Sequence, residues 1–252
     1  MCRKIESNGM RIVGRTNIFY GWFVVIGGAL IAMGMTGTQF SFGVFLTPMT
    51  EEFEWSRATL SLAFGTTFML SGLLRPVAGF LADRYSPKVV ALSGVVLMGA
   101  MLLLLPLISN LAHLYVIFAV MSVGLTLGTG STLTKIVSAW FHTNRGLTLA
   151  LITGGGSIGA IILVPAASSF VVLFDWREAY LFLGVLLLAV ILPVGVLFVK
   201  NRPSDVGLGP RRAEPSPSSE STETAVDAAP DATFGEALRT GFFWRLTFGY
   251  FV

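Results

Sequence analysis

The sequence predicts an all-α membrane protein built on a bundle of six transmembrane helices. Two observations carry this expectation. Of 252 residues, 54% are hydrophobic and only 12% are charged, with a mean hydropathy of +0.75. Soluble domains are about a quarter charged, so this chain has too few charges to cover a surface in water. The apolar residues also gather into six stretches of about 20 residues or more, the length an α-helix needs to cross hydrocarbon. In lipid, a segment must satisfy its own backbone polar groups, which favours helices.

Residues 1–18 carry Arg3, Lys4, Arg11 and Arg15 without an apolar core, so they read as a cytoplasmic tail. The lone cysteine, Cys2, allows no disulfide within the chain. The expected spans within residues 19–200 are 19–49, 56–81, 87–108, 111–141, 145–174 and 176–199. The first is longer than a signal-peptide core and has no small-residue cleavage site, so it reads as a retained span. Ser86 before Pro87 predicts a helix N-cap with proline at the first helical position. Asn144 or Thr143 is placed to cap the fifth span, and Asp175-Trp176-Arg177-Glu178 reads as an Asp-led capping box for the sixth.

The net charge of +3 does not indicate nucleic-acid binding, because the basic residues are spread over short loops and the N-terminal tail. Arg84, Lys88, Arg145 and Lys200 fall on the side of the basic tail, whereas the other side carries Glu51, Glu52, Glu54 and Arg57, then Asn110, then Asp175, Arg177 and Glu178. The Lys/Arg excess puts the N-terminus in the cytoplasm of a multi-pass cell-membrane protein. An internal echo is also present. Arg57 opens the second span and Pro76 follows; Arg145 opens the fifth and Pro165 follows at nearly the same distance. A three-plus-three inverted repeat would place these segments in equivalent positions. Residues 201–233 are rich in Ser, Pro, Glu and Ala and predict a largely disordered central loop. Residues 234–252 predict a short amphipathic segment and, from Trp244, the start of a seventh helix.

Between the second and third spans lies Gly79-Phe80-Leu81-Ala82-Asp83-Arg84-Tyr85-Ser86-Pro87-Lys88. It resembles the signature loop of the major facilitator superfamily, usually G-x-L-A-D-R-x-G-R-K, with departures at Ser86 and Pro87. Tyr20-Gly21-Trp22, Trp140-Phe141 with Arg145-Gly146-Leu147, Trp176-Arg177, Arg202-Pro203 and Glu236-Ala237-Leu238-Arg239 resemble the oxalate/formate antiporter and monocarboxylate transporter branch. The resemblance implies twelve helices in two halves with solute bound between them, this chain supplying the N-terminal half. The partners it implies are the lipid bilayer, a small organic solute and a second half, in cis or as a separate chain. Val120 stands where many proton-coupled members carry arginine four residues before Gly124, so that form of coupling is not expected.

Three residues are candidate solute contacts. Arg75 lies about two turns, roughly 12 Å, before Asp83; an arginine at membrane depth normally faces a cavity or a partner, or snorkels to the interface. Lys135 stands near the end of the fourth span with Ser131 and Thr132 one turn away. Gln39, followed by Phe40, resembles a Gln-aromatic pair of oxalate/formate-type members, and a buried amide needs partners in any case. Gly79, Asp83, Arg84 and Lys88 form the candidate conformational-switch loop. By resemblance, Asp83 helps hold the two halves together in one conformation. Gly65 and Gly72 in the second span, and Gly155 and Gly159 in the fifth, read as helix-packing positions.

Enzymatic and cofactor readings find no support. Gly154-x-Gly156-x-x-Gly159 fits a dinucleotide fingerprint only if a strand precedes it in a soluble βαβ unit, and here it falls in a membrane span. His113, His142 and Cys2 have no metal-ligand spacing, and no G-x-S-x-G is present. The expected function is transport of a small organic solute, plausibly a carboxylate. A drug or sugar transporter of the same fold, a partner-dependent half-transporter and a truncated product remain open. A polar cavity face exposed to lipid would leave an isolated half unstable or dimeric.

Overall fold

A computed structural model describes residues 20–141, 145–201, 240, 241 and 245. The tail over 1–18, the caps at Thr143 and Asn144, His142, and the central-loop expectation beyond Asn201 lie outside these residues. Residues Met1–Arg211 form one compact unit and Arg212–Val252 another. In the second unit, the described Gly241 and Arg245 are helical.

Among the described residues six helices are long and apolar enough to cross a membrane: α1 Gly21–Phe53, α2 Arg57–Arg84, α3 Pro87–Leu107, α4 Leu111–Ser138, α5 Arg145–Leu173 and α6 Trp176–Phe198. Among the described residues there is no strand. The six spans expected from the sequence are all present, with ends shifted by a few residues.

The helix boundaries follow local chemistry. Ser86 accepts the Val89 N–H at 3.5 Å and Pro87 opens α3, as the sequence predicts. Asn110 caps α4 by accepting the His113 N–H at 2.9 Å. Asp175 caps α6, but it accepts the Trp176 N–H at 2.7 Å, the first orphan donor and not a deeper one. Glu54 ends α1 in the left-handed conformation, with φ 55°.

Two expectations about helix extent change. Gly79 to Arg84 is the end of α2 and not a loop, because nothing breaks the helix before extended Tyr85 and the Ser86-Pro87 pair. The fourth span is not one rod. Thr129 is extended and Gly130 takes φ +57°, ψ −121°, a region open essentially to glycine. The helix restarts at Ser131, and the Thr129 hydroxyl bonds the Leu125 carbonyl at 2.7 Å. In α6, residues Leu186–Ile191 widen into a π-helix just before Pro193, whose missing N–H leaves a carbonyl of the preceding turn unbonded.

The packing follows the inverted repeat. Helix α1 packs along α5 and α6, α4 packs along α2 and α3, and α3 meets α6 in the middle. Each repeat's first helix therefore lies against the second and third helices of the other repeat, or of its symmetry equivalent. Pro76 and Pro165 lie inside α2 and α5, the equivalent helices.

The α1–α5 crossing is closest. A Cβ on Gly155 would stand 2.6 Å from the Ala29 carbonyl oxygen, and one on Gly159 would stand 2.7 Å from the Met33 carbonyl carbon. Gly37 faces the same seam, 2.6 Å from the Gly159 oxygen on that construction. Gly65 and Gly72 differ: among the described residues nothing lies within 4 Å of a Cβ placed there. They share α2 with the exposed Leu62, Met69, Leu73, Val77 and Phe80, so this helix turns a broad apolar face away from the bundle.

Candidate functional site

The α2–α3 turn gathers most of the sequence-predicted residues. The Lys135 ammonium donates to Asp83 Oδ1 at 2.6 Å and to the Gly79 carbonyl at 2.8 Å. Gly79 stands five residues before the end of α2, so its carbonyl already accepts within the helix and Lys135 adds a second donor, while a cation near a helix C-terminus offsets the negative end of the dipole. Lys135 is a third exposed and Asp83 nearly three-quarters, so the ion pair itself is worth little in stability. Its geometry joins α4, just after the break at Gly130, to the end of α2.

Lys88 has a different role from Asp83. Its ammonium donates to the Val196 carbonyl at 2.6 Å, and its backbone N–H donates to Asn201 Oδ1 at 2.8 Å. Asn201 also donates to the Ser86 hydroxyl at 2.7 Å. The end of α6 is thereby fastened to the start of α3. Arg84 is exposed and lines, with Asp83, Lys135 and Asn201, a cavity of about 600 Å³ at this end.

Aromatic residues close the same end. The rings of Tyr20 and Trp140 lie 5.5 Å apart, as do those of Trp22 and Phe141. Trp140 Nε1 donates to the Lys200 carbonyl at 2.9 Å. Two motifs 120 positions apart in sequence, Tyr20-Gly21-Trp22 and Trp140-Phe141, thus form one contact.

At the opposite end stands a cluster that sequence reasoning missed. Glu52, in the last turn of α1, receives Nη1 and Nη2 of Arg177 at 2.8 and 2.5 Å and Nε1 of Trp176 at 2.6 Å. Arg177 Nε also donates to the Pro106 carbonyl at 3.3 Å, and its guanidinium sits 4.4 Å from the Trp176 ring centroid. A carboxylate near a helix C-terminus opposes the dipole, and the two-pronged guanidinium answers that cost while tying together α1, α3 and α6. The only available signal was a Trp-Arg pair at a helix start and acidic residues at a helix end.

Gln39 lies elsewhere, on a small interior cavity lined also by Thr38, Thr67, Phe64 and Tyr180. Arg75 is exposed and makes no hydrogen bond or ion pair among the described residues. Gln39, Arg75 and Lys135, the three candidate solute contacts, therefore occupy three separate places. Among the described residues no cluster of His, Cys, Asp and Glu is placed to hold a metal.

Known proteins are similar to this chain in sequence. The family profile "Major Facilitator Superfamily" matches residues 24–252. An uncharacterized MFS-type transporter, YcxA, of Bacillus subtilis (strain 168) is 30% identical over 190 residues, covering 75% of this chain and 47% of the relative. The riboflavin transporter RibJ of Trypanosoma brucei brucei (strain 927/4 GUTat10.1) is 28% identical, covering 77% of this chain and 34% of the relative. The oxalate:formate antiporter of Oxalobacter formigenes is 23% identical, covering 91% of this chain and 51% of the relative. Mammalian monocarboxylate transporters match as well. The chain spans about half the length, or less, of the curated relatives it matches. With six apolar helices paired as an inverted repeat and a family profile matching nearly all of its length, the chain belongs to the Major Facilitator Superfamily.

Proposed function

We propose that this chain is the N-terminal half of a transporter, not an enzyme, that moves a small organic carboxylate by alternating access. The carrying observation is the junction of Asp83, Lys135 and Gly79 at the signature turn. It couples the part of α4 after the Gly130 break to the end of α2, where a second half has to dock and release. Membership in the superfamily and relatives of about double length support a complete protein with two such halves. The Lys/Arg bias puts the Asp83 end and the N-terminus on the cytoplasmic side.

The carboxylate reading rests on similarity to the oxalate:formate antiporter along most of the chain. Arg75 is the cation offered to the anion or to the second half, and Gln39 is the amide nearest the bundle interior. The riboflavin-transporter relative favours a second reading, a larger neutral heterocycle. A second half supplied as a separate chain serves either reading.

The test is counterflow in proteoliposomes made with the full-length gene product, comparing labelled oxalate, formate and lactate with riboflavin. Uptake of a carboxylate that Asp83→Asn slows by about tenfold or more, with normal membrane insertion, is the expected result. Riboflavin uptake alone would replace the substrate reading. Full-rate transport in Asp83→Asn would remove the role given to the signature turn.

A further inference from the structure

We infer that the interior cavity enclosed by α1, α2, α3, α4 and α6 is a binding site for one structural water. That water bridges the hydroxyls of Thr38, Thr67 and Tyr180 to the amide of Gln39. Thr38 Oγ1, Gln39 Nε2, Thr67 Oγ1 and the Tyr180 hydroxyl are all enclosed, and none has a hydrogen-bond partner among the described residues. All four residues line the same cavity. Thr38, Thr67 and Tyr180 are 4%, 4% and 3% exposed.

Buried polar groups in proteins almost always find a partner, and a water is the usual one when side chains cannot meet. Space sets the identity of the ligand. The room open to the centre of a water-sized sphere is about 20 Å³. One water needs roughly 10–15 Å³ on that measure, so one fits and an organic solute does not. The amide nitrogen only donates, and each hydroxyl both donates and accepts. A water that accepts from Gln39 Nε2 and one hydroxyl, and donates to the other two hydroxyls, gives each of the four groups one hydrogen bond.

The site also has a position in the repeat. Thr38, Gln39 and Thr67 come from the first three helices and Tyr180 from the second three. The water therefore bridges the two repeats at their centre and fixes the Gln39 rotamer. None of this depends on Gln39 touching a transported solute, so the proposal stands or falls apart from the transport reading.

Radiolytic labelling of the full-length protein in oxygen-18 water tests it, together with thermal unfolding of Tyr180→Phe and Thr67→Val. Phenylalanine keeps the stack of ring 180 on Phe45, now 3.8 Å between centroids, and valine keeps the shape of threonine. The expected result is oxygen-18 incorporation at Tyr180 despite its burial. Each variant should also lower Tm by roughly 2–5 °C, and the double variant by less than the sum, because one water is lost once. In a dry cavity each substitution instead deletes an unsatisfied hydroxyl, leaving Tm unchanged or higher. Absence of label at Tyr180 overturns the proposal whatever the unfolding shows, and label with unchanged or raised Tm in both variants overturns the bridging role.

Discussion

Gly159→Ala should destabilise the bundle, although alanine is the better helix former. The added Cβ would stand 2.7 Å from the Met33 carbonyl carbon and 2.8 Å from its Cα. Carbon atoms prefer separations of about 3.5–4.0 Å, so α1 and α5 must part by roughly 0.8 Å or more at the crossing. The obstruction is backbone, and no side chain can rotate away. A gap of that size forfeits a quarter to a half of the dispersion attraction of neighbouring pairs, and overpacking typically costs about 1–3 kcal/mol. The gain in helix propensity, about 0.8–1 kcal/mol, offsets only part of this. The balance is a net loss of up to about 2 kcal/mol, a Tm lower by up to roughly 8 °C. Gly154→Ala is the control. It makes the same chemical change five residues earlier in the same helix, where among the described residues nothing lies within 4 Å of the added Cβ. That variant should hold or raise Tm. The assay is thermal unfolding in detergent, followed by monodispersity on size exclusion. Equal responses from the two variants would refute the reasoning, because helix propensity alone cannot tell the positions apart.

Gly130→Ala should cost about 1–3 kcal/mol, since a side chain is strained at φ +57°, ψ −121°; an unchanged Tm would mean that α4 runs straight through Thr129. Glu52→Gln and Arg177→Met should each lower Tm, and their double-mutant cycle should return a coupling near 1 kcal/mol; additivity within about 0.3 kcal/mol would dissolve the clamp. Lys135→Met should leave Tm within the effect of an exposed pair, about 1 kcal/mol or less, yet slow transport as Asp83→Asn does; a double variant much slower than either single one would show that the two residues act separately.

The six spans were legible because membrane helices declare themselves by length and apolarity, and the caps because Ser86-Pro87 and Asp175 have short-range chemistry. The break in α4 was hidden inside an apolar stretch, although Gly128-Thr129-Gly130 followed by Ser131 has the makings of a stop and a restart. The extent of α2 was misjudged for the opposite reason: Asp83 and Arg84 look like loop residues, but charge does not end a helix when the next breaker comes only at Tyr85. Periodicity marked glycines on one face of α2 and a pair in α5 alike. Only the second pair meets a neighbouring backbone in the described residues, and which face meets a neighbour is a tertiary fact. The same limit hid the Glu52–Arg177 clamp and the pairing of Lys135 with Asp83, whose members are 125 and 52 positions apart.

The fastening at Asn201 has a mechanical consequence. Its side chain holds the first turn of α3 through Ser86 and Lys88, while the neighbouring Lys200 carbonyl holds the Trp140 indole of the segment after α4. The chain that continues past residue 201 therefore leaves from a fixed origin. A displacement of residue 201 would therefore reach the start of α3 and Trp140 as well as the end of α6, beside the turn that carries Asp83.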